Sequence, residues 1–259
     1  MSLEAELHVA YKFVNCPIIN FPFPHFFVEN VFPDDFYSKI QENLLEPKEM
    51  TPIADLYKDN VALVKYKDRL IMDFTLEESM QKLGKEKKEF WTAFEKNFLS
   101  GSFGQIIQAK FKKFTDMRFQ YLDNVSFRHE MFLINDKKNY SLGPHTDKIS
   151  KVVSVLIYLP KDRSQIETGT SIYMPKNPEN LNMEDPNQHY SREEFHKVVT
   201  MPFIPNSAFC FIKTNNSFHG LEKLLHTNTD RWTLQYNMHI NSETVEKEIL
   251  AKRENLKKN

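Results

Sequence analysis

Residues 143–160 read GPHTDKISKVVSVLIYLP. The second half, from Val152 to Leu159, is apolar and rich in β-branched residues, the pattern of a buried strand. The first half sets His145 and Asp147 two positions apart. In an extended chain, residues two apart project from the same side, so one imidazole and one carboxylate are offered to a common point. The pair alone is weak evidence of a metal site, because a turn aspartate beside a surface histidine gives the same spacing. Its meaning depends on what the rest of the chain brings to it.

Working outward from this stretch, the chain beyond about residue 120 is a series of short strand-like segments: 125–134, 152–159, 170–174, 208–213 and 231–240. Turn-rich sequence separates them, and the only helical candidate between them is 190–198. Such a run predicts a sandwich or jelly roll rather than a βαβ fold. The first 120 residues differ. Residues 17–33 are rich in Pro and Phe and read as extended. Pro33-Asp34-Asp35 opens a helix whose apolar positions are Phe36, Ile40 and Leu44, and Pro47 ends it. Residues 77–99 and 103–114 carry apolar stripes at helical spacing, which are core rather than cofactor signals. The expected fold is α+β and mainly β: a double-stranded β-helix (jelly roll, cupin-like) with N-terminal helices packed on one sheet. Residues 1–259 are read as one domain, comprising a helical layer over 1–120, a jelly-roll core over 121–241 and a charged, helical tail over 242–259. The polar, Pro-containing insert 175–197 is read as a long loop that either closes over a substrate or simply covers the surface.

Two later features give His145 and Asp147 company. His219 follows the strand 208–213 closely enough to fold back over them. Two histidines and one carboxylate on one side of a metal form the facial triad of non-haem Fe(II) sites, although the same donor set also binds zinc. Along 231–237, Arg231, Thr233, Gln235 and Asn237 share one face, and Trp232, Leu234, Tyr236 and Met238 share the other. A polar inner face suits a barrel that holds a polar small molecule. Arg231 suits a carboxylate, which guanidinium binds through parallel hydrogen bonds, and Thr233 adds another.

In the order His145-x-Asp147, His219, Arg231-x-Thr233, the chain resembles the Fe(II)- and 2-oxoglutarate-dependent dioxygenases, most of all their prolyl-4-hydroxylase-like branch. The Tyr158-Leu159 pair that ends the strand after the motif, the turn Glu167-Thr168-Gly169-Thr170 and the opening HFFVENVFPDDFYSKI are similar to that branch. The resemblance covers about 22–45 and 125–240. It implies that His145, Asp147 and His219 ligate Fe(II). It further implies that Arg231, Thr233 and Tyr158 hold the distal carboxylate of 2-oxoglutarate, with O2 as co-reactant and succinate and CO2 as co-products. The chain departs from the branch upstream of the motif, where Asn135 stands at the place of a basic residue or tyrosine, and at Thr168-Gly169, where many members have two glycines.

Composition narrows the alternatives. A formal charge of −1 gives no reason to expect nucleic acid. Two cysteines do not make a disulfide scaffold, so a cytoplasmic setting is expected. No stretch reaches the roughly 20 apolar residues of a membrane span, and no membrane partner is expected. The expected partners are O2 and a small-molecule or peptide substrate. The competing readings are a non-catalytic cupin-like binding protein and another metalloenzyme built on two histidines and a carboxylate. Among other residues, Arg128 and Glu130 read as a structural pair, with substrate binding as the alternative. Tyr140 and Asn139 are candidates for the entrance. His25, His189, His196 and His226 read as solvated, and His239 is read as facing away from Arg231 with no catalytic role.

Overall fold

The computed structural model describes residues 2–57, 66–99, 101–181, 189–225 and 230–256. In chain order the elements are α1 (Leu3–Asn15), β1 (His25–Glu29), α2 (Asp34–Glu42), β2 (Thr51–Pro52), α3 (Ile53–Leu56), β3 (Arg69–Asp73), α4 (Glu77–Met80), α5 (Lys85–Leu99) and α6 (Phe103–Arg118). They continue with β4 (Phe127–Asp136), β5 (Leu142–His145), β6 (Lys151–Tyr158), β7 (Ser171–Pro175), β8 (Phe195–Thr200), β9 (Ser207–Ile212), β10 (His219–Leu221), β11 (Arg231–Ile240) and α7 (Ser242–Leu256).

The strands form a seven-stranded sheet in the order β1-β9-β6-β11-β4-β3-β2 and a four-stranded sheet in the order β5-β10-β7-β8. From β4 to β11 the chain passes back and forth between the two sheets, and every pairing is antiparallel. That winding is a jelly roll, as expected from the sequence. β1 extends the larger sheet at one edge, and β3 and β2 extend it at the other.

The alternation along β11 positions everything else. Leu234, Tyr236 and Met238 turn to the outer face, where Met131, Leu133, Val153 and Val155 join them in one apolar cluster with α1, α2, α5 and α6. The helices reach this surface with aromatic stripes. Phe94 and Phe98 stack at 4.6 Å, and Phe98 meets Phe103 at 4.5 Å. Burying each such ring contributes about 1.5–3 kcal/mol, so the helical layer is bound to the sheet by its own sequence pattern. The other face of β11 looks between the sheets.

Three local expectations are corrected. Residues 77–99 form two helices rather than one, with the break at 81–84, where Gly84 disfavours continuation. Residues 190–198 are not helical. A single 3-10 turn capped by Ser191 leads into β8, whose Val198, Val199 and Thr200 favour pairing with β7. His25 is not solvated: it lies buried on β1, where its Nδ1 meets the Phe23 carbonyl at 2.8 Å. Among the described residues, no helix is long and apolar enough to cross a membrane.

Candidate metal centre

β5 and β10 bring the two histidines together. His219 lies directly opposite His145 in the antiparallel ladder, and their ring centroids are 4.4 Å apart. The strands approach closely because Gly220 has no side chain, since a Cβ there would sit 2.5 Å from the Leu142 carbonyl oxygen. Asp147, two residues beyond His145, turns the same way. One ligand atom from each of His145, Asp147 and His219 lies within 4.8 Å of the others, and all three residues are buried.

Hydrogen bonds fix the protonation of these side chains. Nδ1 of His145 faces the Gly143 carbonyl at 2.9 Å, and Nδ1 of His219 faces the Ser217 carbonyl at 2.9 Å. A carbonyl only accepts, so each Nδ1 carries the proton and each Nε2 lone pair is left for a ligand. Burial pushes both imidazole pKa values down, that of His145 well below its ordinary value. Burial alone would raise Asp147, but the Lys151 ammonium, followed by the two imidazoles, holds its carboxyl well below the usual range. Lys151 Nζ and Ser154 Oγ donate to its two oxygens, each at 3.0 Å. Two neutral imidazoles and one ionised carboxylate are the forms in which these groups bind a divalent metal, so the donor set fits such an ion.

The three residues line a cavity of about 240 Å3 between the sheets. Arg231 and Thr233 line it too, as do Gln235, Thr170, Tyr140 and Arg69. Arg231 Nε donates to the Thr168 carbonyl at 2.7 Å, and its Nη1 donates to Asp136 at 2.9 Å and to Thr233 Oγ1 at 3.2 Å. Tyr158 lies beside this group rather than along the cavity wall. Its ring centroid is 5.6 Å from the guanidinium carbon, and its hydroxyl accepts the Thr170 N–H at 3.0 Å.

Other residues partly depart from the sequence reading and partly follow it. Asn135 pairs with Trp232 and Leu70 in the ladders, one step out of phase with Asp136, so it faces the helical layer and not the cavity. Its side-chain oxygen and nitrogen are buried without a hydrogen-bond partner. His239 was expected to oppose Arg231. Eight residues separate them, an even number, so they share the inner face. There His239 Nε2 meets Glu130 at 2.6 Å. Burial works against the Glu130 charge, but His239 and Arg128 bring its pKa down to about 2. The Arg128–Glu130 pair is present at 3.0 Å. His196 is exposed, and His226 lies outside the described residues.

The main correction concerns His189. Rather than being solvated, it lines the cavity and stacks on His145, with centroids 4.5 Å apart and planes 15° from parallel. The insert is fastened at this end. Tyr190 N–H donates to the Pro144 carbonyl at 2.9 Å, and Arg192 donates to the carbonyls of Leu142 and Leu221. Only a histidine within a polar loop was visible in the sequence, with nothing to show that β5 would capture it. Arg69 and Asp136 were also missed, because neither belongs to a local motif.

No family model and no curated protein matches the chain. It is similar to solved structures of 2-oxoglutarate–Fe(II) oxygenases. One is a prolyl-4-hydroxylase from Pseudomonas putida, at 11% identity over 90% of this chain and 100% of that one, with a TM-score of 0.44. Another is a 2OG-Fe(II) oxygenase family oxidoreductase from Burkholderia pseudomallei, at 10% identity over 80% and 79%, with a TM-score of 0.41. A third is HygX from Streptomyces hygroscopicus, solved with nickel, 2-oxoglutarate and hygromycin B, at 11% identity over 92% and 87%, with a TM-score of 0.45. At such identities the fold rests on the strand order described above.

Proposed function

We propose that the chain is an Fe(II)- and 2-oxoglutarate-dependent oxygenase that hydroxylates a small-molecule or peptide substrate. The observation that carries this reading is the convergence of His145, Asp147 and His219, in ligating protonation states, on a cavity that also holds a buried guanidinium. Bound together, Fe(II) and 2-oxoglutarate supply the oxidation: one atom of O2 goes to a substrate C–H bond as hydroxyl and the other to the cosubstrate, which leaves as succinate and CO2. Everything else is the work of the chain's own side chains.

His145 and His219 present Nε2, each held in orientation by its Nδ1–H bond to a carbonyl. Asp147 presents a carboxylate oriented by Ser154 and Lys151. Arg231 and Thr233 take the distal carboxylate of the cosubstrate. The Thr233 oxygen accepts from Arg231, so its own O–H is available to donate toward that carboxylate. Tyr158 supports this group, its ring beside the Arg231 guanidinium and its hydroxyl bonded to the Thr170 N–H. Three protein ligands leave positions for cosubstrate and O2. The helical layer and the jelly roll act as one unit, since a single apolar cluster runs through both.

The test is succinate release from 2-oxoglutarate by the purified chain with Fe(II) and O2, without added substrate. Slow release by the native protein and none by His145→Ala is expected. Equal release from both, or none from either, removes the reading. Zinc-dependent hydrolysis without 2-oxoglutarate binding would replace it with a hydrolase.

A further inference from the structure

Arg69, Asp136 and Arg231 stand side by side on three neighbouring strands, with Asp136 in register with both arginines. Arg69 Nε donates to Asp136 Oδ1 at 2.6 Å and Arg69 Nη2 to Oδ2 at 3.0 Å, while Arg231 Nη1 reaches the same Oδ2 at 2.9 Å. The carboxylate is fully buried and ties two guanidiniums together. We propose that Arg69 is a second guanidinium of the cosubstrate site and that Asp136 positions both, so that two arginines grip the distal carboxylate. This rests on the oxygenase reading.

The hydrogen bonds already made leave Arg231 only its Nη2 for the cosubstrate, which favours a second guanidinium. A guanidinium has five N–H donors. Arg231 commits three of them to Thr168, Asp136 and Thr233. A parallel two-nitrogen grip by Arg231 would pair Nη2 with either Nη1 or Nε, and both of these are already committed, Nη1 to Asp136 and Thr233 and Nε to Thr168. Arg69 commits two donors to Asp136, which leaves three, and it lines the same cavity. The Tyr140 ring, which lines the cavity as well, packs against it, with its centroid 4.3 Å from the guanidinium carbon.

Charge points the same way. The cluster sums two positive charges against one negative, and Asp147, the one acidic residue among the described residues that line the cavity, is paired with Lys151. A surplus buried positive charge is unfavourable until an anion arrives. One carboxylate of charge −1 neutralises the cluster. Without Asp136, the two guanidiniums would repel and splay.

The experiment compares two ligands, 2-oxoglutarate and pyruvate, titrated calorimetrically into the full chain loaded with Mn(II). Pyruvate has the 2-oxo acid end but no distal carboxylate. Arg69→Met is expected to weaken 2-oxoglutarate about 10- to 100-fold, the range for a charged hydrogen bond, and to leave pyruvate unchanged. Asp136→Asn is expected to do the same. Arg69→Lys, which keeps the charge and loses the fork, is expected to fall between and carries the test should Arg69→Met not fold. A structural tether alone would lower the melting temperature without altering the preference between the two ligands. That outcome, or an equal loss for both ligands, overturns the inference while the oxygenase reading stands. Failure of the native protein to bind either ligand removes the oxygenase reading itself.

Discussion

The imidazole of His189 lies 4.5 Å from that of His145, nearly parallel to it, and continues a row of ring contacts through Tyr66 to Tyr140. The row joins the insert, the segment before β3 and the approach to β5 into one wall beside the candidate ligands. Aromatic pairs of this kind contribute about 0.5–1.5 kcal/mol. His189→Ala should therefore weaken metal binding only modestly, by about 2- to 13-fold, as read by competition with a chromophoric chelator. No change, or a loss as deep as that of His145→Ala, would contradict this role.

Removing a ligand and removing its support should differ in degree. Asp147→Ala deletes a donor atom, whereas Ser154→Ala deletes one hydrogen bond to that donor. Outer partners of this kind cost about 10- to 100-fold in metal affinity. Ser154→Ala should fall in that range and Asp147→Ala well beyond it in the same chelator competition. Equal effects would place Asp147 outside the metal's ligand set.

The buried histidines set the acid side of the stability profile. Burial lowers the pKa values of His25, His129, His145, His219 and His239 from their ordinary 6.5. Below 6.5 the unfolded chain gains protons that the folded chain refuses, so stability falls with falling pH. Glu130 acts later: its contribution is present above its ordinary 4.5 and is lost as pH drops toward about 2. The melting temperature of the chelator-treated protein should decline from about pH 7 to about pH 5.5, before the carboxylates titrate. A flat profile over that window would show that these rings are solvated.

Arg118 ends α6 and binds Glu248 of α7 through two contacts of 3.0 and 3.1 Å. The same guanidinium donates to the carbonyls of Lys151, at 2.9 Å, and Ile149, so the C-terminal helix steadies the loop behind Asp147. Breaking a buried pair from one side costs about 3–5 kcal/mol. Arg118→Met should lose about that much in denaturant unfolding and weaken metal binding as well. A loss below about 1 kcal/mol would mean that the pair is effectively solvated.

Legibility in the sequence followed range. The inner and outer faces of β11 were readable because strand alternation has a period of two, and β6 because its run is apolar. His145, Asp147 and His219 could be grouped because each is tied to a recognisable strand or its edge. β8 was missed because only Phe195 of its six residues is buried and its apolar residues do not alternate with polar ones. Asp136 and Arg69 were invisible for a different reason. Their partnership is set by the register of β3 against β4, which no local spacing encodes. The place of His189 depends likewise on non-local contacts, among them the backbone bond from Tyr190 to Pro144 and those of Arg192 to Leu142 and Leu221.

The most direct measurement is the visible spectrum of the protein mixed anaerobically with Fe(II) and 2-oxoglutarate. A weak charge-transfer band in the native chain, lost in His219→Ala, is the result this account predicts. A featureless spectrum from a native chain shown to be folded, or a band that survives His219→Ala unchanged, would contradict it.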